Sequence, residues 1–330
     1  MEASSSAQRA LGASSVPWSE ARRSRMPWDA AYRHLLGTFA LFVFVVAALI
    51  VYECARGASP AVLAYGWRFL LNTDWDPVAE HFGALPYMFG TAMSSGLALV
   101  FAVPLGLGTA VFLAELAPKR VGTVVAFVIE LLASIPSIVY GIWGFFVLAP
   151  FLRSAIEPWL GTHLGFIPLF QGFPFGIGML NAGIVLAIMI LPTIVSLTRE
   201  LLLATPRSLL EASLALGSTR AEAIAIVLDS ARPGILGAII LALGRALGET
   251  MAVTMVIGNT NKISPSLFAP GATMSSVIAN ELTEATSALH QGSLIEIALV
   301  LFLLTLLVNA AGRLLVLWAT GGRRDVAGAV

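Results

Sequence analysis

The stretch TPRSLLEASLALGSTRAEAIAIVLDSARPGI, residues 205 to 235, decides how the rest of the chain is read. Ser208 is followed three residues later by Glu211, the spacing of a capping box: the hydroxyl takes the third amide and the carboxylate returns to the cap amide. That spacing predicts a helix from Ser208 through Leu209, Leu210, Ala212 and Leu214 to Leu216, with Gly217 supplying the left-handed residue that ends it. Thr219 and Glu222 form a second box, so a new helix is expected at once, to about Asp229, before Pro233 opens the next element. Apolar Leu209, Leu210 and Leu214 on so short a helix need a partner. Either they fold back on the body of the chain, or they form a rigid knob that fits a groove on another subunit.

The surroundings of this loop are those of a membrane protein. Of 330 residues, 58% are hydrophobic and 12% charged, against roughly 25% charged in an average soluble domain. Membrane lipid is therefore the expected solvent. The 19 basic and 19 acidic residues cancel, which leaves no global field to attract nucleic acid. The single Cys54 excludes an internal disulfide, and no Cys/His cluster has metal-ligand spacing. A phosphate-cradling GxxxxGK[ST] loop is missing, since Lys119 and Lys262 are the only lysines, and so are HExxH and GxSxG. No enzyme active site of these kinds, and no ATPase site of its own, is therefore expected in this chain.

About 20 apolar residues cross the hydrocarbon, and six stretches qualify: approximately 35 to 54, 87 to 116, 121 to 150, 177 to 199, 234 to 258 and 293 to 318. The fold class expected is an all-α integral membrane protein with six transmembrane helices. Pro104 and Pro136 should bend or break the second and third spans. Six spans with the N-terminus inside put Arg9, Arg22, Arg23, Arg25, Arg33, Lys119, Arg120, Arg199, Arg207, Arg220, Arg232, Arg313, Arg323 and Arg324 on the inner side. Only Arg56, Arg68, Arg153 and Lys262 then lie outside, as the positive-inside rule requires. A seventh span over residues 164 to 180 would spoil that bias, so this Pro- and Gly-rich segment reads as interfacial or re-entrant. The expected organisation is a polar cytoplasmic tail over 1–34 and a first helix with an outer loop over 35–86. A transmembrane core over 87–318 and a cytoplasmic tail over 319–330 follow. The first helix reads as a retained signal anchor, because its apolar run exceeds the 7–15 residues of a cleaved signal. In the outer segment 259–292, TMSSVIANELTEATSALH approximates a helical face, either lying over the bundle or offering a docking surface.

Arg245 and Glu249 in ALGRALGETMAV fall inside the fifth span, four residues apart and therefore neighbours on one face of a continuous helix. A charge near the bilayer centre costs about 2.5–3.5 kcal/mol even on a lenient scale, so both must face protein or water. They form either a structural ion pair or an anion site, since guanidinium keeps its proton and offers a planar fork matched to phosphate oxygens. Glu130, Ser134 and Ser137 flank Pro136 in the third span. They either line a path or close local backbone gaps.

EASLALGSTRAEAIAIVL resembles the EAA loop of ABC importer permeases. Glu211, Ala212 and Gly217 match position by position, Ser213 replaces the second Ala, and Asp229 stands where the family usually has Pro. WDPVAEHFGALPYMFGT (75 to 91), VPLGLGTAVFLAELAP (103 to 118), IELLASIPSIVYGIWGFFVLAPFL (129 to 152) and GRALGETMAV (244 to 253) extend the resemblance to the phosphate-specific permeases. The resemblance implies the type I ABC importer permease fold, with Glu211, Ala212, Gly217, Leu209 and Leu214 coupling to a cytoplasmic ATPase. Arg245 and Glu249 would lie on the substrate pathway. It also implies a second, PstA-like permease, a PstB-like ATP-binding dimer that holds ATP and Mg, and a PstS-like external phosphate-binding protein. No cofactor is expected in this chain. The companion phosphate permease, a permease for sulfate or molybdate, and an ATPase-independent anion transporter are the alternatives.

Overall fold

A computed structural model describes residues 27 to 321, with side-chain environments from 32 to 318. Most of the two tails expected over 1–34 and 319–330 lies outside the described residues. Among the described residues the chain is helical, with two isolated β-bridges, Asp76 to His81 and Gly258 to Gly271. Ten helices follow in order: α1 Pro27–Tyr65, α2 Leu85–Val111, α3 Lys119–Ala133, α4 Ser137–Leu164, α5 Met179–Ala204, α6 Arg207–Ala215, α7 Arg220–Leu247, α8 Met251–Val256, α9 Met274–Glu281 and α10 Ala288–Gly321. Helix α2 runs on through a π turn to Leu116, and α4 contains two more, Gly144–Leu148 and Leu152–Ile156.

Six helices are long and apolar enough to cross a bilayer, beginning at Tyr32, Leu85, Ser137, Met179, Arg220 and Ala288. Two compact units divide the chain at Tyr52. In the first, every side chain from Tyr32 to Ile50 is exposed although nearly all are apolar. Only lipid or another protein satisfies such a surface. The second unit, from Glu53 onward, is built around α5, whose Leu186, Met189, Ile190 and Ile194 are fully buried. Helices α2 and α5 pack closely because small residues let their backbones approach. A Cβ on Gly106 would come within 2.8 Å of Ile194, and one on Gly183 within 2.5 Å of Leu97.

The third expected span is a broken helix, as Pro136 predicts. Ile129 of α3 shares an apolar cluster with Val195, and Gly144 of α4 lies against Val185, so the two segments climb beside α5 in sequence order. The carbonyls freed at the break are satisfied in place: Ser134 donates to Leu131 and Tyr140 to Leu132, both at 2.7 Å. Pro104 leaves α2 continuous. Residues 164 to 180 hold a short 3-10 turn, Pro168–Phe170, and no membrane-length helix.

The fifth span departs from expectation at both ends. Helix α7 is one element of 28 residues from Arg220 through Pro233 to Leu247, not a short loop helix followed by a new span. Buried Ala231 and Ile235 flank the proline, and Gly234 abuts Leu201 of α5, so packing on both sides of Pro233 keeps the chain helical through it. At the other end α7 stops, Gly248, Glu249 and Thr250 are non-helical, and α8 starts anew.

The end of the bundle opposite α6 carries a second apolar cluster of Phe69, Trp75, Phe82, Tyr87, Met274 and Val277. Glu281 of α9 accepts from the Trp75 indole at 2.8 Å and pairs with His290 at 3.1 Å. Phe82 stacks on the same His290. The buried face of α9 therefore lies over the bundle.

Candidate functional site: a mid-span guanidinium and a capped-helix loop

Thr193 is fifteenth of the 26 residues of α5, about 21 Å from that helix's start at 1.5 Å per residue. Arg245 Nη1 donates to Thr193 Oγ1 at 3.4 Å, which puts the guanidinium near the middle of the span. The contact follows from packing: α7 lies along α5, and Arg245 falls in its last turn. Arg245 is exposed in the isolated chain, and buried Tyr140 of α4 lies within range of its charge. A guanidinium at that depth and exposed cannot face hydrocarbon. Its surroundings must be water or another protein.

Glu249 is held elsewhere. It sits in the interruption between α7 and α8, where its Oε1 accepts the Ala252 amide at 3.2 Å. Its backbone carbonyl accepts from Ser275 Oγ of α9 at 2.7 Å. The expected placement of Arg245 and Glu249 on one helical face is therefore corrected. Gly248 ends α7, the i to i+4 relation is lost, and the two do not form an ion pair among the described residues. The carboxylate supports a part-buried turn of backbone, leaving the guanidinium fork with the Thr193 hydroxyl as its hydrogen-bond partner among the described residues.

The flanking polar residues divide. Ser134 is exposed and closes its own helix end. Ser137 is half-buried at the start of α4, and Glu130 is exposed on α3 with no hydrogen bond or ion pair to Arg245 among the described residues. Thr193, Tyr140 and Ser275, which the structure brings to the site, carry no local motif. A threonine after Pro192 in an apolar span is a faint signal that could have pointed to one of them.

The loop keeps its corner and one of its two boxes. Helix α6 starts at Arg207 on Pro206, so Ser208 lies inside the helix and the expected Ser208–Glu211 box does not form. Gly217 has φ +89, and a Cβ there would meet nothing within 4 Å, so backbone conformation alone calls for glycine. The second box is present: Thr219 N donates to Glu222 Oε2 at 2.7 Å, and Glu222 N donates to Thr219 Oγ1 at 3.4 Å. Arg220 ties the start of α7 to the end of α2, donating to the Glu115 carbonyl at 2.7 Å.

The two readings of the loop's apolar residues each describe part of it. Leu210 folds back against Leu202, Val227 and Ala231, and Leu209 is half-buried. Leu214 is 43% exposed and Leu216 88%, with Glu211 and Ala212 also at the surface. Ser213, the departure from the EAA pattern, is 6% exposed and faces the bundle.

A family model described as "Binding-protein-dependent transport system inner membrane component" matches residues 102–319. A Mesorhizobium japonicum protein named "Phosphate transport system permease protein PstC" is 45% identical over 290 residues, 86% of this chain and 89% of that one. A Mycobacterium tuberculosis protein named "Phosphate transport system permease protein PstC 2" is 38% identical over 302 residues, 89% of this chain and 92% of that one. Among solved structures, a bacterial alginate ABC transporter complexed with an alginate-bound periplasmic protein aligns with TM-score 0.58 at 17% identity, covering 92% of this chain and 98% of that one. An inward-facing MetNI methionine ABC transporter gives 0.50 at 20% identity, covering 72% and 94%. These two likenesses show the fold, that of a type I ABC importer permease.

Proposed function

The chain belongs to the family of binding-protein-dependent transport system inner membrane components, and from that premise we propose that it forms the phosphate path of an ATP-driven importer. The observation that carries the reading is Arg245, a permanent cation at mid-span on a face that this chain leaves open. A second, PstA-like permease facing α7 would close that side into a water-filled passage. Guanidinium then offers phosphate a planar donor fork in low dielectric, where charge-assisted hydrogen bonds are strong. Thr193 holds the fork, and Glu249 keeps the chain broken beside it. Engaged with Ala252, its carboxylate makes no ion pair with Arg245 among the described residues, which leaves the guanidinium fork available to an anion.

Energy enters at the other site. The exposed patch of Glu211, Ala212, Leu214 and Leu216, turned by Gly217, is the surface offered to a PstB-like ATPase dimer, which binds the ATP and Mg. The α6 end is cytoplasmic in this reading, as are both termini, in keeping with the distribution of Arg and Lys. A PstS-like protein delivers phosphate at the opposite end.

The test is uptake of labelled phosphate by proteoliposomes containing the chain, its companion permease, the ATPase and the binding protein. ATP-dependent uptake that excess sulfate and molybdate fail to suppress is expected. Uptake without the ATPase, or full suppression by either oxyanion, overturns the respective part of the reading.

A further inference from the structure

Helix α4 carries an unexplained cation. Arg153 lies eight residues beyond Phe145, about 12 Å along the helix, in a cleft of about 480 Å3 that also includes Phe146, Ser154, Phe175 and Ile177. No carboxylate pairs with Arg153 among the described residues. The nearest acid along α4, Glu157, is buried and directed to the Gly176 amide at 2.9 Å. That hydrogen bond pins the segment bearing Phe175 against α4 and so fixes one wall of the cleft. The other wall is the Phe145–Phe146 pair, edge to face at 5.1 Å, with Phe146 68% exposed. Two π turns, Gly144–Leu148 and Leu152–Ile156, lie in this stretch, and such turns shift side chains out of α-helical register. Six residues beyond Arg153, Trp159 stacks on His163 at 4.6 Å, and Trp is enriched where a membrane meets water.

An unpaired guanidinium at the head of an aromatic slot, just below an interfacial Trp, matches one molecule class. Its head must be an anion with two oxygens that a guanidinium fork can grip, and its body must be apolar and continuous with the bilayer. We propose that this cleft binds an anionic phospholipid of the leaflet at the end opposite α6. Arg153 forks the phosphodiester, Ser154 donates to it, and one acyl chain lies over Phe146 and Phe175. Free phosphate fits poorly because the walls are apolar and cannot replace its hydration. The inference requires only that the chain spans a bilayer, and does not depend on what is transported.

The assembled transporter, purified and partly delipidated, is titrated with phosphatidylglycerol, with diacylglycerol of the same chains, and with inorganic phosphate, and bound species are counted by native mass spectrometry. Wild type is expected to retain one phosphatidylglycerol more per chain than Arg153→Gln, with affinity about fivefold higher, the ~1 kcal/mol that one Arg near an anionic membrane contributes. Phe146→Ser is expected to lower retention while Arg153 remains. Diacylglycerol should not be retained. Subunit stoichiometry, read in the same spectra, confirms that each variant is assembled. Equal lipid counts in wild type and Arg153→Gln overturn the proposal. So does displacement of the lipid by inorganic phosphate, or loss of the companion permease in the Arg153 and Phe146 variants, which would make the cleft a subunit contact.

Discussion

Arg245 and Glu249 are separated by the end of a helix: the guanidinium reaches Thr193 of α5 while the carboxylate accepts the amide of Ala252 in α8. Two opposite charges four residues apart thus hold two different pieces of structure. Variants at the two positions should therefore behave differently.

Arg245→Gln should abolish phosphate uptake in proteoliposomes while leaving the assembled complex intact on size exclusion. Arg245→Lys should retain partial uptake, because an ammonium keeps the charge and loses the fork. Normal uptake by the Gln variant would falsify the assignment of Arg245 to the path.

For Glu249 the distinction is between charge and cap. Gln keeps an acceptor for Ala252, whereas Ala removes it, at a cost typical of a lost N-terminal cap, about 1 kcal/mol. Glu249→Gln should therefore sit closer to wild type than Glu249→Ala in thermal stability of the purified complex. Equal losses would point to the negative charge itself.

Thr193→Val keeps the shape and removes the hydroxyl that Arg245 donates to. Loss of a hydrogen bond to a charged group is worth roughly 1.5–3 kcal/mol, so phosphate affinity in uptake should fall by tenfold or more. Unchanged affinity would show that Thr193 is a bystander.

At the loop, position decides outcome. Leu216→Asp and Leu214→Asp should leave the chain folded and prevent copurification of the ATPase. Leu210→Asp, packed with Leu202 and Val227, should lower expression and thermal stability. Retention of the ATPase by both exposed-site variants would remove the patch from the docking surface.

Gly217→Ala forces a left-handed φ on an alanine, about 1 kcal/mol or more, and re-aims α6 relative to α7. ATP hydrolysis by the assembled complex should then persist with uptake reduced. Parallel loss of both activities, or of neither, would argue against a coupling role for this corner.

Much of this architecture was legible in the chain. Long apolar runs have few alternatives to spanning helices, Pro136 does break its span, and the Thr219–Glu222 box and the Gly217 corner form where spacing places them. The errors were local signals overridden by neighbours. Pro206 starts α6 two residues before Ser208, and packing against α5 carries α7 through Pro233. Gly248, within the stretch 234 to 258 expected to span, ends the helix and removes Glu249 from the face of Arg245. The position of Arg245 could be read because a cation in an apolar run is costly anywhere. Its contact with Thr193, 52 residues away, could not, because it depends on how α5 and α7 lie together.

The unbroken course of α7 has a mechanical meaning. Its first residue, Arg220, is clamped to the Glu115 carbonyl beside the loop, and twenty-five residues later the same rod presents Arg245. At 1.5 Å per residue the two are about 38 Å apart, with the helix continuous through Pro233 between them. A tilt of about 4° imposed at Arg220 sweeps the guanidinium through roughly 3 Å, nearly the whole of its 3.4 Å reach to Thr193. The helix is a lever, with the α6–α7 loop as its handle and the Arg245 guanidinium at its tip.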